Sequence, residues 1–180
     1  EARKLMRERN YFGSMMVENG EADALISGIS RNYRTTIKPA LEVIGKQDDV
    51  KKVAGMYIMN TKKGTLFLAD TTINTNPTAE ELVDMSEMIV KSVKRFNITP
   101  RVALLSYSNF GSTRTEGSSK MAKATVLLKE RNPNLIVDGE IQADFALDNE
   151  KTADIFPFSE LAEEQANTLI FPNLESGNLA

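Results

Sequence analysis

One segment of the sequence combines side-chain types that bind anions. Between Ser106 and Thr115 the chain carries several hydroxyl groups, Gly111 and Arg114, after an apolar run and before a helical pattern. Such a segment can bind phosphate, because backbone N–H groups and the helix dipole at a helix N-terminus favour an anion. The alternative is a solvated loop that only caps the helix. Neither GxxxxGK[ST] nor GxGxxG occurs here, so the segment is not a standard nucleotide-binding loop.

Three other segments contain candidate functional groups. Ser27 to Arg34, with Lys38 one turn later, supplies cations and hydroxyls, or else a helix cap with surface charges. Asp138-Gly139-Glu140 supplies two carboxylates, which could serve as acid and base or as metal ligands. Composition favours a simpler interpretation of these acids, as a helix cap or a buried pair that orients a loop. Asn173 to Asn178 either presents amides to a ligand or turns the chain.

Composition excludes several classes of site. The 180 residues include no cysteine and no histidine, so disulfides, thiolate chemistry, a Ser-His-Asp triad and histidine-based zinc sites are impossible. A net charge of -3 and a pI near 5.2 argue against a nucleic-acid partner. No apolar run is long enough for a membrane span and the first residues do not resemble a signal peptide. We therefore expect a cytoplasmic protein without membrane or nucleic-acid partners.

The elements that must position these groups alternate between helices and strands. This order predicts an α/β fold with three α/β/α layers and a mostly parallel sheet. Because parallel strands end at one edge, the polar segments that follow them should meet there, where ligands bind in open sheets. The predicted helices are Ala2–Glu18, Tyr33–Ile44, Pro77–Phe96 and Lys120–Arg131, and the predicted strands are Ala22–Ile26, Val53–Thr61, Gly64–Thr72, Arg101–Tyr107, Leu135–Val137 and Thr168–Phe171.

The polar stretch Lys46 to Lys52 is the predicted boundary between two lobes. We expect residues 1–49 to be part of a first lobe and residues 50–180 to form most of a second.

Taken in order, the polar segments and their flanks resemble the phosphate acetyl/butyryltransferase family. The resemblance covers nearly the whole chain. The matching stretches are Tyr11 to Val17, Gly20 to Gly28, Lys38 to Leu41, Ala69-Asp70 with Asn74, Asn76-Pro77 and Glu80-Glu81-Leu82, then Pro100 to Ser108, Asp138 to Asp144, and Phe171 to Asn178.

The resemblance implies a phosphotransacetylase fold, of the isocitrate-dehydrogenase-like type, that binds acetyl-CoA or CoA between two lobes and dimerises through the second. It implies no metal site and points to these ligand-binding residues for acyl-CoA or phosphate: Ser27, Gly28, Arg31, Lys38, Tyr107, Ser108, Gly111, Ser112, Thr113, Arg114, Asp138, Glu140, Asn173, Gly177 and Asn178.

Two departures from the transferase pattern shape the functional hypothesis. Transferases of the family carry arginine where this chain has Lys38, and an ammonium cannot make the two-pronged phosphate contact of a guanidinium. Their opening βα units would come before Glu1, and their catalytic Ser-Arg pair and aspartate after Ala180. The resemblance therefore implies that the sequence is a fragment of a larger multidomain chain. Ser27-Gly28 followed by Arg31-Asn32-Tyr33 instead resembles the C-terminal domain of bacterial NADP-dependent malic enzymes.

We therefore expect an acyl-CoA-binding regulatory and oligomerisation domain of a malic enzyme, with no catalytic residues of its own. NADP and a divalent metal would bind the parent's malic-enzyme domain, where malate is oxidatively decarboxylated to pyruvate. This domain would pair with itself, as a homodimer or higher oligomer. The alternatives are an active phosphate acetyltransferase, moving acetyl between CoA and phosphate, and a purely structural dimerisation module.

Overall fold

The computed structural model describes residues 1–48 and 50–180. These residues form two compact units, Glu1–Lys52 and Val53–Ala180. The predicted boundary at residue 49 lies outside the described residues, and the assignment of the units to two lobes stays a prediction. None of the helices in the described ranges is long and apolar enough to cross a membrane.

Three helices make up the regular structure of the first unit: α1 (Ala2–Leu5), α2 (Arg9–Glu18) and α3 (Tyr33–Val43). The prediction of one continuous helix from Ala2 to Glu18 was wrong. Glu8 interrupts it, because its extended backbone and its carboxylate cap a new helix, accepting hydrogen bonds from Asn10 N at 3.0 Å and Tyr11 N at 3.2 Å.

The predicted buried strand Ala22–Ile26 was also wrong. The segment is irregular, and the Ile26 side chain is 98% exposed. A strand requires a neighbour to accept and donate its backbone hydrogen bonds. Within residues 1–48 and 50–180, no strand pairs with this segment. The apolar run is therefore real in the sequence, but it is not part of a sheet here.

The second unit is built on a five-stranded sheet in the order β1-β2-β5-β3-β4. Its strands are β1 (Met56–Thr61), β2 (Gly64–Ala69), β3 (Arg101–Leu105), β4 (Ile136–Ile141) and β5 (Thr168–Ile170). A tight turn joins β1 and β2 into the predicted antiparallel hairpin, and every other pairing is parallel. The predicted mostly parallel sheet is confirmed.

Helices cover both faces of this sheet and confirm the three layers. On one face, α4 (Ala79–Arg95) and α5 (Glu116–Arg131) pack Leu82, Met85, Met121 and Leu128 against Phe67 and its neighbours on the strands. On the other face, α6 (Ala143–Ala146) and the chain up to residue 166 cover side chains such as Leu68 and Ala103. The remaining helices are α7 (Asn149–Ile155) and α8 (Leu174–Leu179).

The strand predicted over Leu135–Val137 extends further than expected, to Ile141. Asp138 and Glu140 were expected just beyond the strand, but they lie within it and are buried. Charged side chains are unusual in a buried strand, so the predicted strand ended four residues too early. Their hydrogen-bond partners, described below, explain how the sheet accommodates them.

Candidate functional site

A cleft of about 910 Å³ opens at the carboxyl edge of the parallel strands in the second unit. Its walls come from the segments after β2, β3 and β5 and from the first turns of α4 and α5. These segments meet because parallel strands end at the same edge of a sheet, as the sequence analysis predicted. The residues that line it are Asn76, Pro77, Thr78, Ala79, Glu80, Leu105, Ser106, Tyr107, Glu116, Gly117, Ser119, Lys120, Lys123, Ala143, Phe171, Pro172, Asn173 and Ser176.

Two long helices begin at this cleft. Thr78 and Thr115 are their N-caps, and each helix is closed by a capping box in which the cap and the third helical residue exchange hydrogen bonds. The first N–H groups of a helix have no partner within the helix, and the dipole makes that end positive. Gly117, in the first turn of α5, exposes its backbone to the cleft without a side chain.

Lys120 is one of two lysines among the residues that line the cleft. Its Nζ donates to Asn76 Oδ1 at 2.9 Å and to the Pro172 carbonyl at 2.8 Å, so it ties together the segments after β2 and β5. Burial lowers the pKa of Lys120, an effect that the charge of Glu116, one turn earlier, only partly offsets. Lys123, one turn later, differs because it forms an ion pair with Glu80, which lowers the Glu80 pKa.

The segment that carries Asn76 is held by a buried carboxylate. Asp70 Oδ1 accepts hydrogen bonds from Gly55 N at 3.1 Å and Thr72 N at 2.9 Å. Asp70 Oδ2 accepts from Asn74 N at 2.8 Å and from the Asn74 side-chain amide at 2.6 Å. Several donors on one buried carboxylate fix the path of the backbone. Asp70 therefore supports the cleft wall without lining it.

The hydroxyl-rich segment after β3 folds around Glu140 rather than around an open site. Glu140 is 2% exposed, and its Oε1 accepts hydrogen bonds from Ser108 Oγ at 2.9 Å and Gly111 N at 2.7 Å. Ser108 Oγ lies 3.2 Å from Ser112 Oγ and accepts from Thr113 N at 3.0 Å. Within the described residues, these five predicted ligand-binding residues form a network that shapes the loop and do not line the cleft.

Other predicted residues of the second unit have separate places. Tyr107 and Asn173 line the cleft, whereas Arg114 is exposed and lies outside the lining. Asp138 is held by Ser159 Oγ at 2.7 Å and by Lys129 Nζ at 3.2 Å. Asp138 and Glu140 are both buried and each is held by its own hydrogen bonds, and a role for either in ligand binding stays a prediction. No group of three or more potential metal ligands occurs among the residues that the structure describes.

The last helix, α8, brings its N-terminal residues to the cleft. Asn173 caps α8, accepting a hydrogen bond from Ser176 N at 2.9 Å. Gly177 is buried against the segment after β2, where an added Cβ would lie 2.6 Å from the Asp70 carbonyl oxygen. Asn178 is exposed. The structure thus gives Gly177 a close-packing role and places Asn173 alone of the three at the cleft.

Two of the four candidate residues of the first unit contact the start of α2. Ser27 Oγ donates to Asn10 Oδ1 at 2.7 Å, and Arg31 forms an ion pair with Glu8, the N-cap of α2. Gly28 has a positive φ of 134°. Lys38 is exposed and lies 3.5 Å from Glu42 one turn later. These contacts are sufficient to order the segment, and a role in ligand binding stays a prediction.

Sequence reasoning missed most of the cleft. Lys120 was assigned only to a helical pattern, and Asn76 was named only within a stretch that resembles the family, so neither was a predicted ligand-binding residue. The spacing of Glu116, Lys120 and Lys123 was the available signal, because residues three and four apart share one helix face. This signal was missed because α5 starts at Glu116, four residues before the predicted start at Lys120. Only with the earlier start does this helix face begin at the carboxyl edge of the sheet.

Comparison with known proteins agrees with this fold. The family model described as phosphate acetyl/butaryl transferase matches residues 1–180. A crystal structure of a phosphotransacetylase from Streptococcus pyogenes superposes with a TM-score of 0.85 at 38% identity, covering 98% of this chain and 54% of that one.

Two kinds of relative share the sequence. A phosphate acetyltransferase of Bacillus subtilis is 38% identical over 99% of this chain, which spans 55% of that protein. An NADP-dependent malic enzyme of Escherichia coli is 40% identical over 99% of this chain, which spans only 23% of that protein. With all 180 residues matched by one family model, the chain belongs to the phosphate acetyl/butyryltransferase family.

Proposed function

We propose that this chain is the greater part of a phosphate acyltransferase, which moves an acyl group between CoA and phosphate. The observation that carries the proposal is the match to phosphate acetyltransferases, with 38% identity over 99% of this chain and 55% of the Bacillus subtilis protein. Sequence analysis favoured the malic-enzyme hypothesis, and the comparisons support its alternative better. Since the chain spans about half of such relatives, the activity is proposed for the whole protein.

The cleft is suited to this reaction. In the transfer, phosphate oxygen attacks the thioester carbonyl of acyl-CoA, and the thiolate of CoA leaves as the acyl phosphate forms. Both substrates are anionic, and Lys120 together with the N-terminal turns of α4 and α5 provides positive potential at one edge of the sheet. Apolar side chains of the same cleft, such as Leu105 and Phe171, supply walls against which an acyl or pantetheine chain can pack.

A second candidate is the acyl-CoA-binding regulatory domain of a malic enzyme. The 40% identity to the Escherichia coli enzyme favours it, as does Lys38 at the position where transferases carry arginine. In that case NADP, the divalent metal and malate would bind elsewhere in the parent, and this domain would report acyl-CoA to it. Any such effect has to be reciprocal, because two linked binding equilibria change each other by the same factor.

Further sequence-based expectations accompany both candidates. We propose that Ser27 to Lys38 and Ser106 to Arg114 contribute to acyl-CoA binding and that the protein forms a homodimer. Cytoplasmic localisation is likewise a proposal. These points rest on the family resemblance, and each holds for a transferase as well as for a malic-enzyme domain.

An assay of the full-length protein separates the two candidates. With acetyl-CoA and phosphate, we expect acetyl phosphate and free CoA to form with a turnover of roughly 1 to 1000 per second, the usual enzyme range. In parallel, malate-dependent reduction of NADP should be absent. The opposite pair of results, no acetyl phosphate but malate oxidation, would replace the transferase proposal with the regulatory domain.

A further inference from the structure

Lys120 differs from an ordinary surface lysine in the partners that hold it. Both of its acceptors, Asn76 Oδ1 and the Pro172 carbonyl, are neutral. Within the described part of the chain, no carboxylate lies within ion-pair distance of its ammonium group. The lysine is therefore fixed in position at both contacts without a direct ion pair, and Glu116, one turn earlier, acts on its charge only at longer range.

The ammonium group also retains a free donor. An ammonium has three N–H bonds, and the two acceptors account for two of them. Lys120 lines the cleft, so a ligand there can take the third. Lys123 provides the contrast within the same helix face, because its ion pair with Glu80 already neutralises its charge.

Backbone groups next to Lys120 add to the positive potential. Gly117 lies three residues earlier on α5, and an added Cβ there would have no atom within 4 Å among the described residues. The backbone at the start of α5 is thus accessible from the cleft, where helix N-termini favour anions. A lysine and a helix N-terminus directed at one cavity are the combination that phosphate binding uses.

We infer that the Lys120 ammonium group binds a phosphate oxygen of the substrate in this cleft, a role that Asn76 and Pro172 prepare by holding it without neutralising it. The inference rests on the proposed function for its substrate. The ligand is a phosphate group, which is present both in free phosphate or acyl phosphate and in the nucleotide part of CoA. Lys120 thereby becomes a binding residue that the sequence did not reveal.

The first test measures phosphate affinity directly in the full-length protein. Calorimetry with inorganic phosphate, and separately with adenosine 3′,5′-bisphosphate, compares the unmutated full-length protein with Lys120→Met. This unmutated protein is called the parent in the comparisons that follow. Loss of one charge-assisted contact should weaken binding of one probe roughly 10- to 100-fold. The probe that loses affinity identifies whether free phosphate or the CoA nucleotide is the ligand. Equal affinity of parent and variant for both probes would overturn the inference.

Two matched variants separate the contact from general charge effects. Lys91→Met removes the same charge from α4 at an exposed position outside the cleft lining, and should leave affinity nearly unchanged. Lys123→Met removes a neutralised charge within the cleft and should cost far less than Lys120→Met. An equal loss in all three variants would show only a diffuse field and would also overturn the inference.

Asn76→Asp tests the role without removing the lysine. The new carboxylate keeps the shape of the side chain and sits where Asn76 Oδ1 now accepts the Lys120 hydrogen bond at 2.9 Å. It should hold the lysine more firmly while neutralising it, so phosphate affinity should fall although thermal stability does not. A purely structural role for Lys120 predicts unchanged phosphate affinity in this variant.

The inference and the proposed function can fail separately. If the parent produces acetyl phosphate and Lys120→Met leaves the phosphate affinity and the KM for phosphate unchanged, the inference is wrong and the function stands. Suppose instead that the unmutated protein produces no acetyl phosphate, while both Lys120→Met and Asn76→Asp bind phosphate more weakly than it does. The phosphate site then stands and the transferase proposal is wrong. A parent that binds neither probe at millimolar concentration contradicts the inference.

Discussion

At the scale of single residues, the chemistry of the cleft depends on which charges are paired. Glu80 and Lys123 neutralise each other, whereas Lys120 contacts neutral oxygens and is partly buried. Desolvation disfavours the charged form of a lysine, so the Lys120 pKa lies below its ordinary value. The affinity of Lys120 for an anion should therefore change with pH in a range where most lysines remain charged.

Phosphate affinity should decline as pH rises through this lowered pKa. The protonated ammonium binds the anion, and deprotonation removes the attraction, so the dissociation constant should rise with a midpoint below about 10.4, the usual lysine value. Calorimetric titration of the full-length protein with inorganic phosphate across alkaline pH measures it. We expect the decline to begin at a lower pH than an exposed lysine would give.

Lys120→Arg is the control for this titration. A guanidinium stays charged throughout the accessible range, so the variant should lack the Lys120 contribution to the alkaline decline. Tyr107, Glu116, Glu80 and Lys123 line the same cleft and are unchanged by the substitution. A pH profile identical in the unmutated protein and the variant would show that Lys120 is not the source of the decline.

At the scale of elements, periodicity predicted the long helices α4 and α5 and the place of each strand of the second unit, but not the short helices α6 and α7. The α4 pattern worked because Leu82, Met85 and Ile89 do face the core. The strand β4 was cut short because Asp138 and Glu140 have charged side chains, and their burial depends on partners such as Ser159 and Ser108, distant in sequence. Tertiary hydrogen bonds of this kind leave no local pattern, and they also determine which loop residues reach the cleft.

The same limit applies to the candidate site. Tyr107 and Asn173 line the cleft because they belong to segments that follow parallel strands. The order of strands and helices in the sequence was enough to predict this. Lys120 could not be singled out, because its role depends on Asn76 and Pro172, which different loops bring to it. Order along the chain identifies the edge of the sheet, whereas side-chain contacts between loops decide which residues act there.

Replacement by alanine should change the stability of the protein in opposite directions at two helical glycines. In α8, Gly177→Ala would place a Cβ 2.6 Å from the Asp70 carbonyl oxygen and 3.1 Å from Thr71 Cα, so α8 or the cleft wall must move. Overpacking of this kind costs about 1–3 kcal/mol of unfolding free energy. In α5, Gly117→Ala meets open space among the described residues and should stabilise by about 0.4–1 kcal/mol.

Urea unfolding of the full-length protein and the two variants measures this difference. The chemical change is identical, so its effect on the unfolded chain is shared, and the sign of each shift reports the surroundings of the glycine. Destabilisation of both variants by similar amounts would mean that Gly117 has a neighbour in the intact protein. Tolerance of Gly177→Ala would mean that the approach of α8 to Asp70 is looser than 2.6 Å.

At the scale of the whole molecule, the two units differ in what they bury. Every buried residue of both hydrophobic clusters comes from the second unit, from Phe67 to Phe171. Among the described residues of the first unit the buried ones are Asn10, Ser14 and Pro39, and apolar side chains such as Ile26 are exposed. Burial of apolar surface is the main favourable term in folding, so the units should differ greatly in stability on their own.

We expect a peptide of residues 1–52 to be largely unfolded in isolation and residues 53–180 to unfold cooperatively. Ordering each residue costs about 1–2 kcal/mol of backbone entropy, which a unit with almost no buried apolar side chain cannot offset. Far-ultraviolet circular dichroism of the two fragments, with thermal melts, makes the comparison. The helices of the first unit carry their own caps at Glu8 and Asn32, yet caps contribute only about 1 kcal/mol each. A cooperative melt of the shorter fragment would therefore require apolar burial, for example by self-association, and its concentration dependence would show whether that is the source.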